Sequence, residues 1–323
     1  MRYRTFGRTG WQISEIGYGM WGMGGWTGSD DDESLAALQR SVELGCNFFD
    51  TAYAYGNGRS EGLLGRLVRA NPETKLYTAT KVPPKNMLWP TPADARVEDC
   101  YPPEHIEEFV QKSLTNAGLE RFDLVQLHTW NDDWTEVSGW SDKLDEMKTK
   151  GLIGASGISI NRWEPWNGIR AVRSAKIDAV QVIYNIFDQN PEDELFPACE
   201  EMNVAVIARV PFDEGTLTGT LTKETTFPAD DWRSGYFSPE NLGASVDRAE
   251  ALRPLTPEGS SMPEMALRFI LSHPAVSTII PGMRKIRNVE ANAAASEAGP
   301  LPDALIDKLR GHRWVRKPAP WSD

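Results

Sequence analysis

The chain has 323 residues, a length that one parallel α/β barrel with extended loops commonly reaches. Its composition, with 40% hydrophobic and 25% charged residues, is that of a globular protein and excludes a disordered or collagen-like chain. With 34 Lys and Arg against 46 Asp and Glu, the net charge of -12 repels phosphate backbones, so we expect no nucleic-acid partner.

At the start of the chain, the pattern of residues 2–14 predicts a β-hairpin with Gly7 and Gly10 in its turn. This segment lacks the apolar core of a signal peptide, and no later apolar run approaches the roughly 20 residues of a membrane helix. We therefore expect a soluble, cytoplasmic protein with no membrane partner. The three widely spaced cysteines and the four histidines show no ligand spacing, so we expect neither a disulfide nor a metal site.

Short β-rich runs then alternate with amphipathic segments long enough to be helices, which is typical of repeated βαβ units. The predicted strands are residues 16–20, 47–50, 76–81, 123–128, 153–159, 179–184, 204–209 and 276–280. The predicted helices are residues 30–44, 60–70, 104–117, 141–150, 164–174, 191–202, 262–272, 286–298 and, as an extra C-terminal helix, 302–312. Eight such units without an intervening linker predict a single α/β domain over residues 1–323, a (β/α)8 TIM barrel. Residues 213–245 are interpreted as an enlarged loop on its catalytic face.

A nominal G-x-G-x-x-G pattern at Gly17, Gly19 and Gly22 follows the first predicted strand. In a Rossmann fold this pattern opens a helix whose N-terminus holds a pyrophosphate. Here the pattern continues into the glycine-rich residues 23–28, which cannot open a helix. We therefore do not interpret it as a Rossmann cofactor site.

Four chemically active side chains occur at, or just after, the ends of consecutive predicted strands. Asp50, Lys81 and His128 end the second, third and fourth strands, and Tyr55 lies five positions beyond Asp50. The carboxyl ends of barrel strands share one mouth, so we expect the four side chains to converge. An ammonium group stabilises a neighbouring phenolate, so Lys81 should lower the pKa of Tyr55 toward neutral pH while Asp50 fixes and balances Lys81. His128 could then orient a substrate carbonyl beside Tyr55.

The sequence resembles the aldo-keto reductase family over nearly its whole length. The motifs that carry the resemblance occur in the family's order and include Tyr3-Arg-Thr-Phe-Gly-Arg-Thr-Gly10, Phe49-Asp-Thr-Ala-Tyr-Ala-Tyr-Gly56, Thr80-Lys-Val82, Asp123-Leu-Val-Gln-Leu-His128, Gly157-Ile-Ser-Ile-Asn161 and Ile280-Pro-Gly282. The resemblance implies a barrel that transfers a hydride between a nicotinamide dinucleotide and an aldehyde, ketone, sugar or alcohol, without a metal. It implies Tyr55 as the general acid/base, Lys81 and Asp50 as its tuning pair, and His128 as the donor that orients the carbonyl.

The resemblance also implies a set of cofactor contacts. Those near the nicotinamide would be Gly19, Met20, Asp50, Ser159, Asn161 and Gln181, although Ile160 intervenes where many members place Ser-Asn directly. Those along the pyrophosphate and adenosine would be Arg209, Pro211, Phe212, Gly215, Leu217, Gly219, Gly282, Arg284, Asn288 and Asn292. Ala291 stands where many members have Glu.

Basic residues cluster after the last predicted strand. Arg284, Lys285 and Arg287 lie at a predicted helix start, where acidic residues are the usual preference. The cluster therefore predicts an anionic ligand, for which a cofactor 2′-phosphate is the natural candidate, and a solvated basic turn is the alternative. We expect NADPH as the cofactor, with NADH as the second choice.

Six of the 12 Trp residues fall in loops at the predicted mouth. We interpret Trp21, Trp26, Trp89 and Trp130 as candidates to line an apolar pocket for an aromatic, terpenoid or sugar-ring substrate. Packing of these rings within their own loops is the alternative.

Two further functions stay open beside a carbonyl reductase. Some aldo-keto reductases serve mainly as redox-sensing, cofactor-binding partners of membrane channels, and the four side chains at the mouth are compatible with that role. A barrel hydrolase that uses Asp132 and Asp133 is the other, but it leaves Tyr55 and Lys81 without roles. The sequence indicates no oligomeric state.

Overall fold

The computed structural model describes residues 1–26, 28–161, 164–229 and 231–316. The chain opens with the predicted hairpin, in which strand β1 (Tyr3–Thr5) pairs antiparallel with β2 (Gln12–Ser14). The ring of Phe6 in its turn lies 5.7 Å from the Trp11 ring and 5.5 Å from the Phe48 ring at the start of a barrel strand. The hairpin therefore covers the amino-terminal end of the barrel and leaves the opposite end for the functional site.

Eight parallel strands form the barrel wall in the order in which they occur along the chain. They are β3 (Tyr18–Gly19), β4 (Phe48–Asp50), β5 (Tyr77–Val82), β6 (Phe122–Leu127), β7 (Ile153–Ser159), β8 (Ala179–Ile183), β9 (Ala205–Arg209) and β10 (Val276–Ile279). Parallel bridges from Ile16 to Ile279 and from Gly19 to Gly282 close the ring. The eight predicted strands and the (β/α)8 barrel are confirmed.

Helices surround the barrel on the outside. Among the described residues they are α1 (Asp31–Glu43), α2 (Arg59–Ala70), α3 (Val97–Cys100), α4 (Pro103–Ala117), α5 (Gly139–Thr149), α6 (Ile169–Arg173), α7 (Leu195–Met202), α8 (Arg233–Tyr236), α9 (Pro239–Leu252), α10 (Met262–Leu271), α11 (Ile286–Ala298) and α12 (Asp303–Arg310). Helices α6 and α7 begin later than the predicted residues 164 and 191, because Pro165 and Pro191 lie in turns that precede them. No helix in the described part of the chain is long and apolar enough to cross a membrane.

The prediction of an enlarged loop over residues 213–245 was wrong in its second half. Helix α9 begins at Pro239, a residue that fits the first helical position, and the Ser238 side chain caps it by accepting from the Asn241 amide at 3.2 Å. Leu242 and Val246 on this helix share a small core with Tyr236 and Phe237. The sequence signal, a Ser-Pro-Glu helix start, was present but was masked by the polar composition around it.

The barrel interior at the covered end is packed mainly with small and aliphatic side chains. This cluster comprises Phe6, Ile13, Phe48, Ala79, Leu124, Ala155, Ala179, Ala205, Ile207 and Ile280. A filled interior fixes the eight strands relative to one another, so their carboxyl ends hold a defined geometry.

Candidate active site

The strand ends bring together the four side chains predicted from the sequence, and hydrogen bonds join three of them. Asp50 is the last residue of β4, Lys81 lies near the end of β5, and Tyr55 lies in the turn between β4 and α2. The Lys81 ammonium donates to Asp50 Oδ2 at 2.5 Å, to the Thr51 carbonyl at 2.8 Å and to the Tyr55 hydroxyl at 3.3 Å. The Lys81 side chain is 0% exposed and that of Asp50 is 2% exposed, so this ion pair is withdrawn from water.

The second oxygen of Asp50 is also fixed. Gln126 on β6 and Gln181 on β8 each donate a side-chain amide to Asp50 Oδ1 at 3.0 Å. The two glutamines are joined to each other, since Gln181 Nε2 lies 3.2 Å from Gln126 Oε1. Gln126 was not predicted, and its only sequence signal is an amide within the apolar run Leu124-Val-Gln-Leu127. Both oxygens of Asp50 are thus held by donors, which orients the carboxylate toward Lys81.

The charge state of the site differs from the expectation for Tyr55. Burial raises the pKa of Tyr55 above its ordinary value by more than the Lys81 ammonium lowers it, and Asp50 raises it further. The expected shift toward neutral pH was therefore wrong, because burial disfavours the phenolate by more than the Lys81 ammonium stabilises it. For Lys81 itself, burial disfavours the ammonium, but Asp50 and Tyr55 outweigh it and the pKa of Lys81 is raised. At neutral pH the site holds a neutral phenol beside an ammonium.

His128 follows β6 and faces Tyr55, with 5.7 Å between the ring centroids in an edge-to-face arrangement. Burial, with further repulsion from Lys81 and Arg209, lowers the pKa of His128 well below its ordinary value, so the imidazole is neutral. Its Nδ1 is buried and has no hydrogen-bond partner. Since an unpaired N–H donor at that position would be costly, this geometry favours the tautomer that carries its proton on Nε2. His128 can then donate a hydrogen bond without acting as an acid.

Aromatic rings surround the phenol and the imidazole. The Trp26 ring lies 6.4 Å from Tyr55 and 5.1 Å from Trp21, and the Trp89 ring lies 5.8 Å from His128. The exposed fractions of Trp21 and Trp89 are 42% and 40%, so both rings also face solvent. Trp232, which the sequence analysis did not select, extends the wall at 6.3 Å from Trp21.

Trp130 does not line the mouth, and its selection as a substrate contact was wrong. Its side chain is fully buried, its indole donates to Asp132 Oδ1 at 3.2 Å, and its ring packs 4.9 Å from Trp140 and 5.6 Å from Trp134. The loop-packing alternative therefore applies to Trp130. Trp130 lies three residues after the end of β6. Its position in the sequence does not reveal whether its ring faces the mouth or packs against other rings of its own loop.

The residues predicted near the nicotinamide lie at the ends of the strands around this mouth. The Met20 amide donates to the Asp50 carbonyl at 2.9 Å, and the Gly19 amide donates to Pro281 O at 3.0 Å. A Cβ on Gly19 would meet the Ile280 carbonyl oxygen at 2.4 Å, so only glycine fits this bridge. Ser159 ends β7 and is buried, whereas the Asn161 amide is engaged with the Trp130 carbonyl at 3.1 Å.

The residues predicted along the pyrophosphate lie on the segment after β9. Arg209 ends this strand and donates to the Ile160 carbonyl at 3.1 Å, but its Nε is buried without a partner. The backbone beyond it turns tightly, since the Gly215 and Leu217 amides both donate to the Phe212 carbonyl at 3.0 Å. Pro211 and Gly219 bound this turn. We call residues 211–219 the phosphate loop, after the role that the sequence analysis predicts for them.

The residues predicted for the adenosine end follow β10. The Arg284 side chain packs against Gly22, so closely that a Cβ added to this glycine would lie 3.0 Å from Arg284 Cδ. On α11, Asn288 is exposed, whereas Asn292 is buried and its Nδ2 has no partner. Gly282 is exposed at the closing bridge.

Three buried polar atoms without a hydrogen-bond partner lie on β9, on the segment that follows it and on α11. They are Arg209 Nε, Thr216 Oγ1 and Asn292 Nδ2. In a barrel of this type, the loops after the last two strands are the usual place for a phosphate-bearing ligand. Donors that lack partners there fit a nicotinamide dinucleotide.

The carboxylates of the hydrolase alternative are not available for chemistry. Asp132 accepts from the backbone amides of Arg170 at 2.7 Å and Ala171 at 2.9 Å, which caps the start of α6. Asp133 pairs with the Arg170 guanidinium at 2.5 Å on the surface. Both acids therefore have structural roles, which argues against a hydrolase that uses them.

Known proteins are similar to this chain over nearly its whole length. A sequence profile of the Aldo/keto reductase family matches residues 15–313. The chain is 31% identical to the uncharacterized oxidoreductase YqkF of Bacillus subtilis, over 97% of this chain and 96% of YqkF. It is 27% identical to the NADH-specific methylglyoxal reductase of Escherichia coli, over 96% of this chain and 98% of that enzyme. It also matches the solved holo form of aldo-keto reductase AKR11C1 from Bacillus halodurans, with a TM-score of 0.76, 27% identity and coverage of 98% and 99% of the two chains.

Proposed function

The chain belongs to the aldo/keto reductase family and is a nicotinamide-dependent oxidoreductase, and on this basis we propose that it reduces a small-molecule carbonyl with NADPH, using Tyr55 as the proton donor. Oxidation of the corresponding alcohol would use the same groups in reverse. The observation that carries the proposal is the three-way contact of the buried Lys81 ammonium with Asp50, Thr51 and Tyr55.

The proposed roles follow from the charge state of each group. The reduced cofactor supplies a hydride when it is bound. Tyr55 is neutral at neutral pH because its pKa is raised, so its hydroxyl is available to protonate a carbonyl oxygen as negative charge develops there. The Lys81 ammonium, 3.3 Å from the phenol oxygen, stabilises the phenolate that remains. Asp50 holds Lys81 in place, and the neutral His128 donates a hydrogen bond that orients the carbonyl.

The proposed cofactor site extends from this centre across the mouth. The residues assigned to the nicotinamide end are Gly19, Met20, Asp50, Ser159, Asn161 and Gln181, and Arg209 leads from them to the pyrophosphate. Those assigned to the pyrophosphate and adenosine end are Pro211, Phe212, Gly215, Leu217, Gly219, Gly282, Arg284, Asn288 and Asn292. Of these, Asn161 and Gln181 hold their amides in bonds to protein groups, so each must rearrange or share its bonds to contact a carboxamide.

The proposed preference for NADPH rests on the basic residues beyond β10. Arg284 lies over Gly22 beside the mouth, and Lys285 and Arg287 are exposed next to it. A guanidinium at that position suits a 2′-phosphate, which NADH lacks. The related methylglyoxal reductase is named as NADH-specific, so a preference for NADH is the alternative that the binding measurements must exclude.

The proposed substrate is a carbonyl compound with an apolar or ring-shaped body. The rings of Trp26 and Trp89 stand beside Tyr55 and His128, and Trp21 continues the same wall outward. Aromatic walls bind ring faces and aliphatic C–H surfaces through their large apolar area.

The experiment that tests this function follows nicotinamide absorbance with both cofactors against panels of aldehydes, ketones, sugars and alcohols. We expect NADPH oxidation with at least one aromatic or sugar carbonyl, and its loss in a Tyr55→Phe protein purified in parallel, which excludes a contaminating reductase. Cofactor binding without turnover on any panel, together with co-purification of a large partner, would instead support the regulatory-subunit alternative.

A further inference from the structure

The phosphate loop has a strained backbone. Asp213 and Glu214 have φ values of 47° and 55°, and Gly215 follows with 112°, so three successive residues lie in the left-handed region. Two of them are not glycine, and such residues adopt this region only when the surrounding structure holds them there. The loop must therefore be fixed by contacts outside itself.

The contact that fixes it comes from the segment after α12. The Arg316 guanidinium forms an ion pair with the Asp213 carboxylate and reaches Asp188 Oδ2 at 3.5 Å. All three side chains are withdrawn from water, with exposed fractions of 4%, 1% and 8%. Asp188 lies beyond β8, so one guanidinium joins the segments after two neighbouring barrel strands. The Tyr236 hydroxyl adds a second contact to Asp213 at 3.5 Å.

The Arg316 guanidinium also packs on an aromatic ring. Its carbon lies 4.2 Å from the centre of the Trp314 ring, which gives the cation an aromatic face to pack on. The Trp314 amide in turn donates to the Phe187 carbonyl at 2.8 Å, which ties this segment to the residue before Asp188.

Charge explains why the loop needs this guanidinium. Asp188, Asp213 and Glu214 lie near one another in a buried region, and mutual repulsion would separate them without cations. Burial and the neighbouring acids raise the pKa of Asp188 to about 6 and that of Glu214 to about 7. Arg316 is the cation in direct contact with two of the three acids.

We propose that Arg316 is a positioning residue for the cofactor: by holding Asp213, it keeps the amides and hydroxyls of the phosphate loop in place to bind the pyrophosphate. The inference rests on the proposed cofactor site. It adds a residue that lies outside the barrel and acts through Asp213. Thr216 Oγ1 is buried without a partner in the same loop, so it is one of the groups that this contact would hold in place.

The test measures cofactor binding without turnover. Arg316→Met removes the charge and keeps much of the side-chain length, and Asp213→Asn removes the partner charge at nearly constant volume. Arg313→Met is the matched control, because Arg313 lies in the same segment and pairs with the half-exposed Asp193 on the surface. The readouts are fluorescence titrations of NADPH and NADH at fixed salt, and the KM values of cofactor and carbonyl substrate.

We expect Arg316→Met and Asp213→Asn each to weaken both cofactors at least tenfold and by the same factor, because the pyrophosphate is common to both. The double variant should be no weaker than the single ones, the KM of the carbonyl at saturating cofactor should stay within about twofold, and Arg313→Met should bind like the wild-type protein. Wild-type affinity in either folded variant overturns the proposal, as does loss of the native fold in both. Failure of the wild-type protein to bind either cofactor would overturn the proposed function instead.

Discussion

Replacing Lys81 by Met is the perturbation that most directly probes how the site controls the phenol. Methionine has nearly the same length and no charge, so it fills the buried space while removing all three donations to Asp50, Thr51 and Tyr55. We expect the pKa of Tyr55, already raised by burial, to rise further, because the Lys81 ammonium that lowers it from 3.3 Å is gone and the weaker effect of Arg209 remains.

The magnitude follows from the distance. At the 3.3 Å between Nζ and the phenol oxygen, two unit charges interact by about 5 kcal/mol at an effective dielectric constant of about 20. Asp50 offsets part of this attraction, so we expect a rise of about 1–2 units in the pKa of Tyr55, with one unit worth about 1.4 kcal/mol. Turnover at neutral pH should fall by about 10²–10³, since the phenolate left by proton transfer has lost its cation.

The assay is the pH dependence of single-turnover carbonyl reduction between pH 7 and 12, because the pKa of Tyr55 in the wild-type protein is already raised above its ordinary value of about 10. The rate falls at alkaline pH as Tyr55 loses its proton, so a higher pKa moves this fall to higher pH while the plateau becomes lower. Lys75→Met is the control, because Lys75 is 60% exposed and pairs with Asp123 far from the mouth. A Lys81→Met profile that matches the wild-type protein in both height and position would refute the coupling between Lys81 and Tyr55.

Three further outcomes are expected. Arg284→Ala should weaken NADPH about tenfold to a hundredfold with little effect on NADH in fluorescence titrations, and equal weakening of both would make Arg284 a support of the loop. Asp132→Ala should lower the free energy of unfolding in urea by about 2–4 kcal/mol without moving the pH–rate profile, because the carboxylate caps α6. Loss of activity without loss of stability would restore the hydrolase interpretation. The pKa of Glu214 is raised from 4.5 to about 7, so the ionised carboxylate destabilises the folded protein as pH rises through that range. Glu214→Gln should therefore have a larger free energy of unfolding than the wild-type protein at pH 8, by at most about 3 kcal/mol, with little difference at pH 4.5. An equal difference at both pH values would contradict the assignment.

The barrel and the core of the site were predictable because they depend on strand ends. Asp50, Lys81 and Tyr55 come together since parallel strands place their carboxyl ends at one mouth, whatever the details of packing. The order of the motifs along the chain predicted the family, and the family match over residues 15–313 confirms it.

What could not be predicted depends on three-dimensional surroundings. The direction of the pKa shift of Tyr55 is decided by burial, which outweighs the charge of Lys81 and is not visible in the sequence. Trp130 turns outward to pack on Trp140, although its position after β6 matches that of a pocket residue. Arg316 lies 103 residues from Asp213, so no local pattern joins them.

The central claim is that Tyr55 is the proton donor, and Tyr55→Phe tests it most directly, because it removes one hydroxyl and almost no volume. The measurement is single-turnover reduction of a carbonyl by prebound NADPH, alongside a titration of cofactor affinity in the same protein. We predict unchanged affinity and a rate lowered by about 10²–10⁴. A rate close to that of the wild-type protein, with the cofactor bound normally, would contradict the assignment.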